Sequence, residues 1–121
     1  MLRLQRALQV CGFVALTACG GSAPVAPEPL PSWLTALIHN LETAPVANPP
    51  ASIARYEYKG GIVYFLPQRC CDTWSDLYRA DGSVMCHPDG GLTGKGDGLC
   101  PDFFARRTGE QIIWRDPRGG H

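Results

Sequence analysis

Four cysteines between positions 70 and 100, namely Cys70, Cys71, Cys86 and Cys100, constrain this chain more than any other feature. A domain of roughly 85 foldable residues buries too little apolar surface to be secure on its core alone, and cross-links are the usual supplement in an oxidising compartment. Two disulfides are therefore expected. Four cysteines permit three pairings. A bridge between the neighbours Cys70 and Cys71 would strain the peptide joining them. That leaves Cys70 to Cys86 with Cys71 to Cys100, or Cys70 to Cys100 with Cys71 to Cys86. Either arrangement closes loops of about 15 to 30 residues, for which chain entropy gives about 3 kcal/mol per bridge.

The compartment follows from the start of the chain. MLRLQRALQVCGFVALTACGG has the form of an export signal, with Arg3 and Arg6 at the front and an apolar run from Leu8 to Ala18. That run has the length of a signal core and is too short for a permanent membrane span. It ends in Leu16-Thr17-Ala18-Cys19, which looks like a bacterial lipobox. In such a motif small residues fit the signal peptidase, and the thiol of Cys19 accepts a diacylglycerol before cleavage. Residues 1–18 are then a lipoprotein signal peptide and Cys11 leaves with them. Residues 19–30 form a lipidated tether whose Pro, Gly and Ala content cannot bury enough apolar surface to fold. Gly20 stands where an aspartate would resemble an inner-membrane retention signal, which points to the outer membrane. Residues 31–116 are the single folded domain and 117–121 a tail.

Loss of Arg3 and Arg6 leaves nine basic against eleven acidic residues. That balance offers no electrostatic footprint for nucleic acid. Cys70 to Asp102 holds six aspartates against Arg79 and Lys95, whereas Arg106, Arg107, Arg115 and Arg118 make the end of the chain basic, so attraction between the two regions is expected.

In PSWLTALIHNLETAP the apolar residues Trp33, Leu34, Leu37, Ile38 and Leu41 recur at helical spacing, with Ser32 as N-cap and Pro45 beyond the end. IARYEY and GIVYFLP, separated by Lys59-Gly60-Gly61, predict a hairpin. DTWSDLY predicts a short helical turn, and LYRADGSVMC a second hairpin around Ala80-Asp81-Gly82. PDFFARRTG predicts a short helix capped by Asp102 and stopped by Gly109, with EQIIWR as the last strand. The expected fold is α+β: a small antiparallel sheet of about four strands, one main helix across a face, and a disulfide-stapled glycine-rich loop.

The loop GGLTGKGDGLC invites sharper readings that its spacing rejects. A Walker loop needs a glycine where Asp89 stands and Ser or Thr where Gly96 follows Lys95. Gly94, Gly96 and Gly98 lack the dinucleotide spacing as well. Asp81, Asp89, Asp97 and Asp102 offer hard oxygen ligands, so calcium is the lesser alternative. The Asp-Gly pairs at 81, 89 and 97 are read first as turn formers. Cys70-Cys71 lacks zinc spacing, and Cys86-His87 lacks the earlier cysteine of a haem site. His39, Ser75, Ser83 and Cys100 have no catalytic context, so no cofactor, no metal and no enzymatic activity are expected. Most of the aromatic residues must fill the core. Trp74 and Tyr78, with Leu92 and Lys95 on the loop, are the candidate partner-binding residues.

Several of these elements are shared with a known family. A Tyr-rich strand before a Gly turn, Cys70-Cys71-Asp72, Leu77-Tyr78, the run from Cys86 through Gly91, and Thr93-Gly94 with Gly96-Asp97-Gly98 ahead of Cys100-Pro101-Asp102-Phe103 make up the pattern. Across residues 31 to 116 it resembles a small bacterial domain family known mainly from predicted lipoproteins and classed as of unknown function. The resemblance brings no activity and no catalytic residues. The expectation is a lipid-anchored envelope protein that is a binding or structural module, meeting the membrane through Cys19 and an envelope protein or polysaccharide through its domain. The alternative is an inhibitor or regulator of an envelope enzyme that inserts the glycine-rich loop into its target.

Overall fold

Alternation along two aromatic-rich strands organises the domain. The computed structural model describes residue 12 and residues 28–119, and the expected signal peptide, the expected lipobox with Cys19 and most of the expected tether lie outside them. Strand β1 (Ser52–Tyr58) turns back into β2 (Gly61–Leu66) through Lys59 and Gly60, both at positive φ as a tight two-residue hairpin requires. Tyr58 then faces Gly61 and Ala54 faces Phe65. Strands β3 (Asp76–Arg79) and β4 (Val84–Cys86) extend the sheet on one side, and β5 (Thr108–Arg115) pairs with β1 on the other. All pairings are antiparallel, in the order β4-β3-β2-β1-β5.

Successive side chains of a strand point to opposite faces, and here both faces are covered. On one, helix α1 (Ser32–Thr43) lays Leu34 and Leu41 against Ile53, Tyr64 and Leu66, with Trp33, Leu37 and Ile38 completing the contact. On the other, Ala54, Tyr56, Tyr58, Val63, Phe65 and Leu77 meet Phe103, Cys86 and Cys100. Phe103 opens helix α2 (Phe103–Arg106) and is fully buried, its ring set edge-on to Tyr56 and Tyr58 at 5.6 and 5.3 Å. This double cover explains why Val63 to Leu66 is buried without a break.

The fold is α+β as expected, and its sheet has five strands where about four were expected: both arms of each predicted hairpin and the last strand join one sheet. DTWSDLY is not a helical turn. Leu77 pairs with Phe65 and Tyr78 with Tyr64, so burial on two sides outweighs the local tendency of that stretch. Ser32 is not the cap of α1; Pro31 occupies that place and its carbonyl accepts from Leu34 and Thr35 at 3.0 and 3.1 Å. Asp102 holds the N-cap position of α2 as expected, its carbonyl accepting from Ala105 and Arg106 at 3.2 and 3.0 Å, while its carboxylate accepts from the Tyr58 hydroxyl and not from the helix amides. Gly109 does not stop a helix. At φ 64° it lies in a bulge of β5, where three steps of β5 span two of β1.

The end of the chain is tied in. Pro117–Gly119 makes a 3-10 turn, and Arg118 donates to the Leu41 carbonyl at 2.9 Å while pairing with the buried Asp116 at 2.8 Å. Those three residues of the expected tail therefore pack with the domain. Among the described residues, the attraction expected between basic end and acidic loop is limited to Arg106 and Asp102, 3.6 Å apart on the surface.

Candidate functional site

The disulfides differ from both expected pairings: Cys86 is bonded to Cys100, and Cys70 to Cys71. The end of β4 and the residue just ahead of α2 meet inside the same core cluster, which brings Cys86 and Cys100 together. The vicinal pair is left to itself in an exposed turn, where Cys71 takes φ 56° and Thr73 donates twice to the Cys70 carbonyl, from its amide at 3.1 Å and its hydroxyl at 2.6 Å.

Residues 87–100 follow a path set mostly by main-chain bonds. Gly96 donates to the Gly90 carbonyl at 3.0 Å, Gly94 to Gly91 at 3.2 Å, and Gly91 to Thr73 at 3.2 Å. At the base, Asp97 accepts from the amides of His87 and Leu99, both at 3.0 Å, and returns its own amide to the His87 carbonyl. Ser75, with no exposed surface, exchanges hydrogen bonds with the backbone of Asp89 at 3.1 and 3.2 Å. Gly96 sits at φ 68° so close to residues 87–89 that a Cβ there would strike the His87 carbonyl and lie 2.8 Å from the Asp89 amide. The glycines allow this compact winding.

Trp74 and Gly90 form a backbone bridge, and Gly90 bridges in turn to Lys95. The indole of Trp74, 48 % exposed, lies against the imidazole of His87 with ring centres 4.6 Å apart. His87 Nδ1 lies 2.9 Å from both the Ser75 carbonyl and Asp76 Oδ1, so it carries a proton, and in the neutral ring Nε2 is the acceptor. Leu92 stands 89 % exposed on the winding, with Lys95 exposed and Leu99 at 69 %. Trp74, Leu92 and Lys95 thus share one surface element. Tyr78 does not share it. Its ring packs 5.4 Å from Trp33, and its hydroxyl makes a long 3.4 Å bond to Asp76. Burial, and then the nearby Asp76, push the Tyr78 hydroxyl up to about 12.

His87 and Asp76 were missed as members of this surface. Only the neighbourhood of Cys86 and Trp74 in the sequence hinted at them.

The four aspartates considered for calcium have other surroundings. Asp81 accepts from the amide and hydroxyl of Ser83, which hold its carboxyl below the usual range. Asp97 clamps the loop base. Asp102 is held low chiefly by the Tyr58 hydroxyl. Asp89 keeps one buried oxygen, Oδ1, without a hydrogen-bond partner among the described residues. Among those residues no group of three His, Cys, Asp or Glu side chains is placed to hold a metal ion, and no helix is long and apolar enough to cross a membrane.

Two clefts lie away from this surface. One of about 510 Å³ sits at the β1–β2 turn beside Tyr58 and Arg106, and one of about 710 Å³ runs between Pro31, Arg55 and Ile112. The loop surface itself is a projecting one.

Fold and loop together define a small α+β domain that displays a disulfide-fastened, glycine-rich loop from one end of its sheet. The chain belongs to the family described as Domain of unknown function (DUF6970), whose model matches residues 39–116. No curated protein matches the chain, and no solved structure does.

Proposed function

We propose that the chain is a lipid-anchored protein of the bacterial envelope, held by a diacylglycerol on Cys19, and that its domain is a non-catalytic binding module. One observation carries the binding reading: a half-exposed Trp74, braced by His87, lies against Gly91, the residue before a strongly exposed Leu92, on a loop whose path is fixed. A folded chain gains nothing from ordering such apolar side chains into water, whereas a partner that covers them gains their burial. The indole face suits the flat apolar side of a sugar ring as well as a protein side chain, so an envelope polysaccharide or protein is the class of partner. Lys95 adds one positive charge to an otherwise acidic stretch.

The projecting Leu92 favours the second reading, a loop that enters the cleft of an envelope enzyme and regulates it. The two separate in one experiment. The wild-type chain and the Trp74→Ala and Leu92→Asp variants are incubated with insoluble peptidoglycan and, separately, with detergent-solubilised envelope. Retention on the polymer that falls at least tenfold in Trp74→Ala supports the binding module. Stoichiometric capture of a single enzyme, lost in Leu92→Asp, supports the regulator. If neither variant changes retention or capture, the loop is not the binding surface. Radiolabelled palmitate or glycerol incorporated into the wild type and absent from Cys19→Ser tests the anchor.

A further inference from the structure

Loop-closure entropy gives the Cys70–Cys71 bond almost no part in holding the domain together. Loop closure stabilises by restricting the unfolded chain, and a link between neighbours restricts almost nothing, whereas Cys86–Cys100 spans a separation of 14 residues. Cys86 and Cys100 are buried at 2 % and 3 % exposure, while Cys70 and Cys71 are both exposed. The exposed pair is also wired to the loop. Thr73, bonded twice to the Cys70 carbonyl, offers its own carbonyl to the Gly91 amide, and Trp74, the next residue, bridges to Gly90.

From this arrangement we infer that Cys70–Cys71 is a thiol–disulfide exchange site, whose reacting partner is a dithiol and whose state is read by the 87–100 loop to which Trp74 bridges. In the forward step a partner thiolate attacks one sulfur of the pair. A mixed disulfide forms, the Cys70–Cys71 bond breaks, and the other cysteine leaves as a thiolate that takes a proton. The second thiol of the partner then attacks the partner's own sulfur in the mixed disulfide and frees the remaining cysteine. The pair has gained two electrons and two protons, and the dithiol has become a disulfide. Opening the ring releases Cys71 from its left-handed conformation, and the 70–73 turn with its bonds to Gly91 is then free to rearrange. The inference is independent of which partner the loop binds.

The chain's own cleavage sites make the test clean. Trypsin cuts after Arg69, Arg79, Lys95 and Arg106, so Cys70 and Cys71 share one peptide, and Cys86 and Cys100 fall in two others. The oxidised full chain is equilibrated with graded dithiothreitol, trapped with an alkylating agent, digested and weighed. Double labelling of the 70–79 peptide is expected at roughly a hundredfold lower dithiol than labelling of the other two, since only the larger ring gains from loop closure. Reduction of both bridges together, or of Cys86–Cys100 first, would overturn the assignment. In the selectively reduced chain the Gly90 and Gly91 amide resonances are expected to shift, and the Cys70→Ser/Cys71→Ser double variant should show the same shifted positions while melting within a degree or two of wild type. Resonances that stay put on reduction would remove the link to the loop.

Discussion

The indole of Trp33 closes over Gly82. It donates to the Ala80 carbonyl at 2.9 Å, and a Cβ added at Gly82 would lie 2.7 Å from the indole Cγ. The first turn of α1 is thereby seated on the β3–β4 turn, 47 residues away in the chain. Gly82 also holds φ 92°, where an L side chain is disfavoured.

Gly82→Ala should therefore cost about 2 kcal/mol, combining the conformational penalty with overpacking against Trp33. Urea denaturation checks this. The Trp33→Ala background should absorb part of the loss, because the two positions touch and their effects are not additive.

Phe103 is the keystone of the face opposite α1. Truncation to alanine removes a fully buried ring that contacts Tyr56, Tyr58 and Phe65, and should cost about 3–5 kcal/mol by chemical denaturation. Its exposed neighbour Phe104, treated likewise, should cost less than half as much.

Replacing Cys86 and Cys100 together by serine should destabilise the domain by about 3 kcal/mol, the loop-closure value for a ring of this size. The measurement is the urea midpoint of the variant against the oxidised wild type.

Tyrosine titration has a defined sign. Burial and Asp102 push Tyr58 up to about 12, burial and Asp76 do the same to Tyr78, and burial raises Tyr56. Their folded values lie above the unfolded value of about 10. The stability they contribute is whole below pH 10 and is lost as pH rises from there through about 12. Phenolate absorbance should develop late and together with loss of the folded signal, and Tyr58→Phe should flatten that dependence.

In acid the sign reverses. Hydrogen bonds from Arg118 hold the Asp116 carboxyl below its ordinary range, so its contribution is present above about pH 4 and fades as pH falls through the folded value. Arg118→Gln should move the acid-unfolding midpoint to higher pH, read by circular dichroism.

What the sequence disclosed follows from how local each feature is. The stripe of Trp33, Leu34, Leu37, Ile38 and Leu41 and the Lys59-Gly60 turn declare themselves within a dozen residues, and α1 and the β1–β2 hairpin form where they predict. The second hairpin forms around Ala80-Asp81-Gly82 where LYRADGSVMC predicts it, but the helical turn read in DTWSDLY does not: alongside Phe65 and Tyr64, Leu77 and Tyr78 bury as strand β3. The disulfide pairing was hidden for a similar reason. It depends on β4 and the start of α2 converging on one core, and no spacing of cysteines records that meeting. Leu92 and Lys95 could be picked out by their position in a glycine-rich stretch, and Trp74 by residue type beside the cysteines. The His87 brace could not, since a backbone bridge at Gly90 folds Trp74 back onto it.

Main-chain bonds, the Asp97 clamp and the buried Ser75 hold the 87–100 loop, so the side chains of Leu92, Lys95 and Leu99 contribute little to keeping it there. Mutation at those three sites is then nearly free of cost to the fold. Successive substitutions there can alter the chemistry that the loop presents to solvent while the melting temperature stands still.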